Sequence, residues 1–375
     1  MSSNMELIGR DEINDLEAIL SVSNSDVDSI VHAVKSNSDA VFTWDYERSR
    51  LPLIKLYEKA KTSQWNVTTD LDWSTEVDQR KLALENFQAD QAFFSESIDL
   101  KGTPFEKWTE KEWIDFGIES QNWLLSQFMH GEQGALLCTA RIVETVPWID
   151  AKYYAATQVM DEARHVEVFA RYLDEKLGRQ YGINDNLKGI LDDILSDPRW
   201  DIAYLGMQIM VEGLALAAFG MMHQVTTEPL LKKLLRYVMS DEARHVAFGV
   251  LSLQEFYREL SDAEMRERQE FAFDVARRLQ RRFAHTEMWA RMGVDPDAVY
   301  RTMDEVNPPA QQMFQRLLFS KIVPNCKKLG LIDAAGGWLR ERFTEIGVIE
   351  FEDLADTGEE YAALDEVARD REAVA

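Results

Sequence analysis

Asp161-Glu162-Ala163-Arg164-His165-Val166 returns letter for letter as Asp241-Glu242-Ala243-Arg244-His245-Val246. Each copy carries Glu-x-x-His, and each is preceded at the same distance by a lone glutamate, Glu132 or Glu212. Adding 80 to the positions of Glu132, Glu162 and His165 lands on Glu212, Glu242 and His245. Residues three apart on a helix share a face, with Cβ atoms roughly 5–6 Å apart. A glutamate oxygen and an imidazole nitrogen so placed can reach one cation. The whole set is four carboxylates and two imidazoles, which suits two divalent iron or manganese ions. The absence of thiolates from the set argues against structural zinc and iron–sulfur clusters.

Spacing supplies a second argument. In an antiparallel helical hairpin, residues equidistant from the turn lie at one height. The midpoint of Glu132 and Glu162 is Pro147, and that of Glu212 and Glu242 is Thr227, followed by Pro229. Proline marks helix starts. Each lone glutamate thus stands roughly 22 Å from its turn at 1.5 Å per residue, and each Glu-x-x-His returns to that level. Two such hairpins packed as a four-helix bundle bring all six ligands to mid-bundle. Apolar flanks at Leu136, Leu137, Val166, Val211, Leu214, Val246 and Phe248 predict burial. Carboxylates buried there without cations carry a heavy desolvation cost.

Asp161 and Asp241 each precede a ligand glutamate. A metal-bound histidine donates its second ring N–H to an acceptor, commonly a carboxylate. A helical neighbour points away from its own motif, so Asp161 is expected to reach His245, and Asp241 to reach His165. Arg164 and Arg244 either balance those aspartates or form surface salt bridges.

Composition bounds the rest. The 375 residues suffice for one large or two modest domains, and 46% apolar content with ten Trp supports a sizeable core. The charge of −25 disfavours nucleic acid and anionic membranes as partners. No run of eighteen apolar residues is found, so no membrane span is expected. The N-terminus lacks the pattern of a signal or transit peptide. Cys138 and Cys326 are the only cysteines, which fits a reducing cytoplasm.

The pattern reads as all-α, in three parts. Residues 1–107 are N-terminal helices packing on the bundle, predicted over 13–36, with Ser23 or Asn24 as a cap, and over 44–65 and 77–100, with a loop at 66–76. Residues 108–260 are the bundle. Thr109 and Glu112 form a capping box for its first helix, which runs to Thr145. Pro147 opens a second helix ending near Gly178, and a crossover over 179–196 contains a short helix. Pro198 and Pro229 open the third and fourth. Residues 261–375 are C-terminal helices and an acidic tail. Ser261 and Glu264 cap a helix to about Met292, with a basic face of Arg277, Arg278, Arg281 and Arg282 expected on a salt-bridged surface. Pro308-Pro309, Pro324 and Gly336-Gly337 punctuate the remaining C-terminal region.

A lone Glu on each of two helices and Glu-x-x-His on each of two others resembles the ferritin-like di-iron carboxylate superfamily. The likeness covers residues 108–260. The Asp-Glu-x-Arg-His form is similar to bacterial multicomponent monooxygenase hydroxylases and soluble acyl-carrier-protein desaturases. Glu212-Gly213 and residues 56–73 (LYEKAKTSQWNVTTDLDW) are more similar to the small subunit of class I ribonucleotide reductase and its ligand-binding oxidase relatives. The resemblance implies a ferritin-like bundle holding two iron ions, or manganese and iron on the same ligands, with O2 as co-substrate. It also implies what surrounds the metals. Phe169, four after His165, stands where most reductase small subunits carry a radical-forming Tyr. Leu216, four after Glu212, stands where the hydroxylases carry Thr. With Leu136, Ala215 and Phe219 these residues read as an apolar pocket. Tyr154 and Tyr204 read as core, and His32, His130, His223 and His285 as non-ligands.

The resulting expectation is an O2-dependent non-haem di-iron oxidase or oxygenase acting on a small apolar, aromatic or amine-bearing molecule. A reductase-type radical subunit or ligand-binding oxidase is one alternative, and a ferroxidase or iron store another. No flavin, ferredoxin or nicotinamide motif is present, so an external electron donor is expected. A homodimer is possible.

Overall fold

The helix that carries Glu132, Glu110–Thr145, begins where the sequence says it should. Thr109 caps it, and its backbone N–H donates to Glu112 at 2.8 Å. It ends at Val146, whose extended backbone is what a following proline imposes. The structure is a computed structural model describing residues 32–94, 100–306 and 316–357, and among these every regular element is helical. In chain order the main helices are α1 (Leu51–Thr62), α2 (Gln79–Phe94), α3 (Glu110–Thr145), α4 (Ile149–Tyr172), α5 (Asp185–Ser196), α6 (Trp200–Val225) and α7 (Pro229–Arg258). They are followed by α8 (Asp262–Arg281), α9 (Thr286–Arg291), α10 (Pro296–Val306), α11 (Ile322–Lys328) and α12 (Ala334–Glu345).

The bundle is two antiparallel hairpins, α3–α4 and α6–α7. Their turns fall at the two midpoints read from the ligand spacing. The first is the break between Thr145 and Ile149, the second the break between Val225 and Pro229. Glu228 caps α7 by accepting from the N–H groups of Leu230 and Leu231, and Pro229 occupies the first turn, where its missing N–H costs nothing. After α4 a wider π-helical turn, Leu173–Leu177, leads to Gly178 at φ 65°, a left-handed stop that glycine adopts without strain. Around this frame α1 lies against α4 and α7, α2 against α3, and α8 across α5, α6 and α12.

Several expectations are corrected. No helix starts at residue 44; residues 32–50 run without regular structure, and α1 begins at Leu51, next to Pro52. The helix after Ser261 does not continue to Met292. It tightens into a 3-10 turn, Arg282–Ala284, and breaks at His285, whose φ of 54° is left-handed. The basic face is not one face either. Arg278 pairs with Asp193 at 2.6 Å outside, while Arg282 is only 3% exposed. Leu137 is 53% exposed, because it falls on the outer side of α3. α6 is long and apolar enough to cross a membrane by length and composition, but 89% of that window is buried among the protein's own helices. The helices expected over 13–36 lie largely outside the described residues, as do Pro308-Pro309 and the tail beyond 357.

One continuous apolar core reaches from Leu53 and Leu56 through the bundle to Phe343 and Val348. A smaller aromatic cluster of Phe105, Trp123, Met288 and Trp289 fills the end near α9. Close approach of helices is bought by glycine. A Cβ on Gly249 of α7 would stand 2.7 Å from the Cβ of Gln208 on α6, closer than carbon atoms pack. Overpacking of this kind costs about 1–3 kcal/mol. Gly249→Ala is therefore expected to lower the stability by that amount, read by chemical unfolding. An unchanged denaturation midpoint would show that the two helices have slack there.

Candidate metal centre

Glu132 stands on α3, Glu162 and His165 on α4, Glu212 on α6, and Glu242 and His245 on α7. None is more than 5% exposed. Ligand atoms of Glu132, Glu162, His165 and Glu242 lie within 4.8 Å of one another, and so do those of Glu162, Glu212 and His245. His165 Nδ1 is 3.1 Å from Glu242, 3.3 Å from Glu132 and 3.4 Å from Glu162. His245 Nδ1 is 3.0 Å from Glu162 and 3.6 Å from Glu242. Glu162 and Glu242, one from each repeat, thus face both histidines, whereas Glu132 and Glu212 stand at opposite ends. Donor atoms bound at roughly 2.0–2.2 Å to a shared cation sit about 3–4 Å from one another, so the spacing is that of a cage for two ions.

The polar atoms support that fit. Glu162 Oε2, Glu212 Oε2, both oxygens of Glu242 and His245 Nδ1 are buried without a hydrogen-bond partner. Buried acceptors left unpaired are costly, and these converge. The far ring nitrogens are already engaged. His245 Nε2 lies 3.3 Å from Asp161, and His165 Nε2 lies 3.2 Å from Asp241. Each aspartate therefore holds the histidine of the other motif, and each turns an Nδ1 toward the carboxylates.

Behind the aspartates, Arg164 pairs with Asp161 and reaches Asp241 at 3.4 Å, while Arg244 pairs with Asp241 and reaches Asp161 at 3.5 Å. Both arginines are buried, so these are interior bridges, not surface ones. Three further side chains escape a reading of the sequence. Gln158 donates to Glu162 at 2.9 Å and to Glu212 at 3.0 Å, holding carboxylates from two hairpins. Its i, i+4 spacing to Glu162 is the available signal, but its counterpart in the second repeat, Val238, is apolar and hides it. Trp65 donates its indole N–H to Asp241 at 2.7 Å, and Gln64 donates to Asp161 at 3.3 Å. Both follow α1, far from either repeat, and nothing in their spacing points to the site.

The apolar surroundings divide. Phe169 and Phe219 are fully buried, stacked at 5.7 Å, with Phe128 edge-on to Phe219 at 4.6 Å. Leu216 lines a surface cavity of about 630 Å³ together with Ala243 and Arg244. Ala215 and Leu136 are half-buried, and neither lines that cavity. Tyr154 and Tyr204 pack on Phe248 in the core. His130 bonds the Tyr181 carbonyl, far in role from the carboxylates.

Burial and the neighbouring Glu242 push Glu132 up to about 8, and burial with Glu162 and Glu242 pushes Glu212 up as well. Burial alone would raise Glu162, but His245 and His165 outweigh it and hold that carboxyl well below the usual range. Burial opposes charging of His165, yet Asp241 and the glutamates raise it; His245 is raised likewise by Glu162 and Glu242.

Glu162→Ala, which removes the carboxylate common to both groupings, is expected to abolish binding of both ions, whereas Glu212→Ala leaves the four-ligand grouping and about one ion per chain. Metal analysis after anaerobic loading reads the difference, and equal losses in both variants would contradict the shared role of Glu162. A further expectation concerns pH. Glu132, Glu212, His165 and His245 all have raised values, so the metal-free fold binds protons that the unfolded chain releases. That stabilisation is present at low pH and fades as pH rises through about 8. Metal-free Tm is expected to fall as pH rises through about 8, while metal loading releases protons and tightens as pH rises. Calorimetry in buffers of different ionisation heat checks it; loading without proton release would refute it.

The sequence matches the family model described as P-aminobenzoate N-oxygenase AurF over residues 48–330, which is 283 of 375 residues and includes all six candidate ligands. No curated protein matches the chain. Among solved structures, a point variant of R2-like ligand-binding oxidase with an anaerobically reconstituted Mn/Fe cofactor is 20% identical, at a TM-score of 0.50, covering 76% of this chain and 95% of that one. Another variant of that oxidase, with an aerobically reconstituted Mn/Fe cofactor, is 19% identical at a TM-score of 0.50, covering 82% and 99%. These likenesses establish the ferritin-like helical fold. The match over three quarters of the sequence establishes more: the chain belongs to the p-aminobenzoate N-oxygenase AurF family, and is an O2-dependent oxidoreductase of the two-metal kind acting on a small molecule.

Proposed function

We propose that this protein is an N-oxygenase, inserting oxygen at the amine nitrogen of a small aromatic amine, with Glu132, Glu162, His165, Glu212, Glu242 and His245 as the ligands of two iron ions or of manganese and iron. The observation that carries the reading is the convergence of partnerless buried carboxylate oxygens from both hairpins in a chain of an N-oxygenase family. Two redox-active cations bound there supply the activation of O2.

The chain's own residues do the rest. Asp161 and Asp241 fix the histidine tautomers, and Gln158 holds Glu162 and Glu212 in place against their mutual repulsion. Phe128, Phe169 and Phe219 pack on one another as a buried apolar cluster on the ligand helices, which keeps water from that part of the bundle. Balance requires that an amine, O2, two electrons and two protons give a hydroxylamine and water. The two electrons come from an external donor, consistent with the lack of a nicotinamide or flavin motif. A tyrosyl-radical role is disfavoured because Phe169 fills the place that role needs.

With iron loaded and a chemical reductant present, 4-aminobenzoate is expected to yield N-oxygenated product with matching O2 uptake. Gln158→Leu, which frees two ligand carboxylates, is expected to lower that rate about 10–100-fold. A two-iron protein that consumes O2 yet leaves every aryl amine unchanged would defeat the N-oxygenase reading.

A further inference from the structure

Tyr154 and Tyr204 share a spacing that metal ligation does not explain. Each stands eight residues before a ligand glutamate, Glu162 or Glu212, with a glutamine midway, Gln158 or Gln208. All four of these side chains are fully buried. Gln158 is used on the carboxylates. The tyrosines have no such use, and both pack on one ring, Phe248, at 4.4 Å and 5.0 Å. Phe248 follows His245 by three residues, so the two share a face of α7. Tyr154 stands roughly 12 Å along α4 from Glu162 at 1.5 Å per residue.

From Tyr204 the rings continue outward. Trp200 meets Tyr204 edge-on at 5.7 Å, and Trp148 meets Trp200 edge-on at 5.1 Å. Both tryptophans are half-buried. Trp148 lies in the turn of the first hairpin, and Trp200 opens α6. Four rings of the kind that gives up electrons thus lead from the bundle interior to its edge at that turn. The other direction differs. On the far side of the ligands the rings are Phe128, Phe169 and Phe219, and a bare benzene ring is much harder to oxidise than a phenol or an indole. Packing alone does not account for this division, because a buried phenol hydroxyl carries a desolvation cost that Phe avoids.

We propose that Tyr154, Tyr204, Trp200 and Trp148 form a relay that discharges the two-metal centre, carrying oxidising equivalents to the protein surface when O2 has reacted and no substrate takes them. Chemistry sets the direction. Phenols and indoles yield an electron only to a strong oxidant, so the relay is idle toward the external donor and conducts only after O2 has reacted. In each passage the oxidised centre takes one electron and one proton from Tyr154, and both end in water. Tyr204 restores Tyr154, and Trp200 and Trp148 restore Tyr204 in turn. A one-electron reductant in solution, such as ascorbate, refills Trp148, and solvent replaces the proton. Burial pushes the Tyr204 phenol up and keeps it protonated, so its electron leaves together with its proton. This charge is in transit, unlike the stored radical that Phe169 excludes. The inference rests on a two-metal centre that reacts with O2, and not on the identity of the amine.

The test uses iron-loaded protein, reduced, freed of reductant and exposed to O2 with catalase present and no amine added. Freeze-quenched samples are read by electron paramagnetic resonance, and peptides by mass spectrometry for oxygen added to Tyr and Trp. Wild type is expected to show a transient radical and oxidation gathered on Trp148 and Trp200, with ascorbate suppressing both. Tyr204→Phe keeps the ring but breaks the relay. It is expected to lose the marks on both tryptophans and to gain them on Tyr154 and around the ligands, with ascorbate no longer protective. Unmarked tryptophans in wild type, or equal marking of them in wild type and Tyr204→Phe, would overturn the relay. If Tyr204→Phe does not hold iron, Trp200→Phe decides: loss of the marks on Trp148 supports the relay, and their retention sinks it. Iron content and O2 uptake on the same samples report on the centre itself. Uptake without marks removes the relay alone, whereas iron-loaded protein that takes up no O2 removes the reading of the centre and the relay together.

Discussion

Mutual repulsion among four glutamate carboxylates sealed inside a helical bundle is the constraint on which this structure depends. Brought together without compensation, they would force the hairpins apart or take up protons. Burial and the neighbouring carboxylates favour the second, raising Glu132 and Glu212, while the histidines hold Glu162 low. Cations remove the conflict, and the rest of the layer is arranged for them. The aspartates direct the histidines inward, the arginines neutralise the aspartates, and Gln158 offers its amide to two carboxylates at once.

Much of this is legible in the sequence because metal ligation is a rule about spacing. Glu-x-x-His sets a helix face, and a glutamate at equal distance on the far side of a proline sets a hairpin. The duplication by 80 residues then implies two of them. The same logic points each aspartate to the histidine of the other motif. What stays hidden depends on tertiary placement. Trp65 and Gln64 reach the aspartates from α1, and no periodicity records which helix lies outside which. Arg282 looks like part of a basic face, since a regular helix would place it near Arg278 and Arg281. The break at His285 and the packing of Trp123 place it inside instead.

The repeat also implies more symmetry than the protein has. Asp241 takes an indole N–H from Trp65, while Asp161 takes an amide N–H from Gln64. Gln158 sits on one motif, and Val238 occupies the equivalent place on the other. His165 has three glutamates within 3.4 Å of its Nδ1, and His245 has one. Two cations held here would meet different fields, so their affinities would differ even though their ligand types match.

α6 carries a last consequence. Between Tyr204 and Val211 it is wound as a π-helix, and the regular α pitch resumes at Glu212. The looser coil shifts the phase of everything upstream against everything downstream. Within that coil Gly206 lies against Ile194 and Phe271, where a Cβ would stand 2.5 Å from Ile194. A π-helical turn takes in more residues than an α turn, so the helix phase set where Gly206 packs is advanced before the chain reaches Glu212.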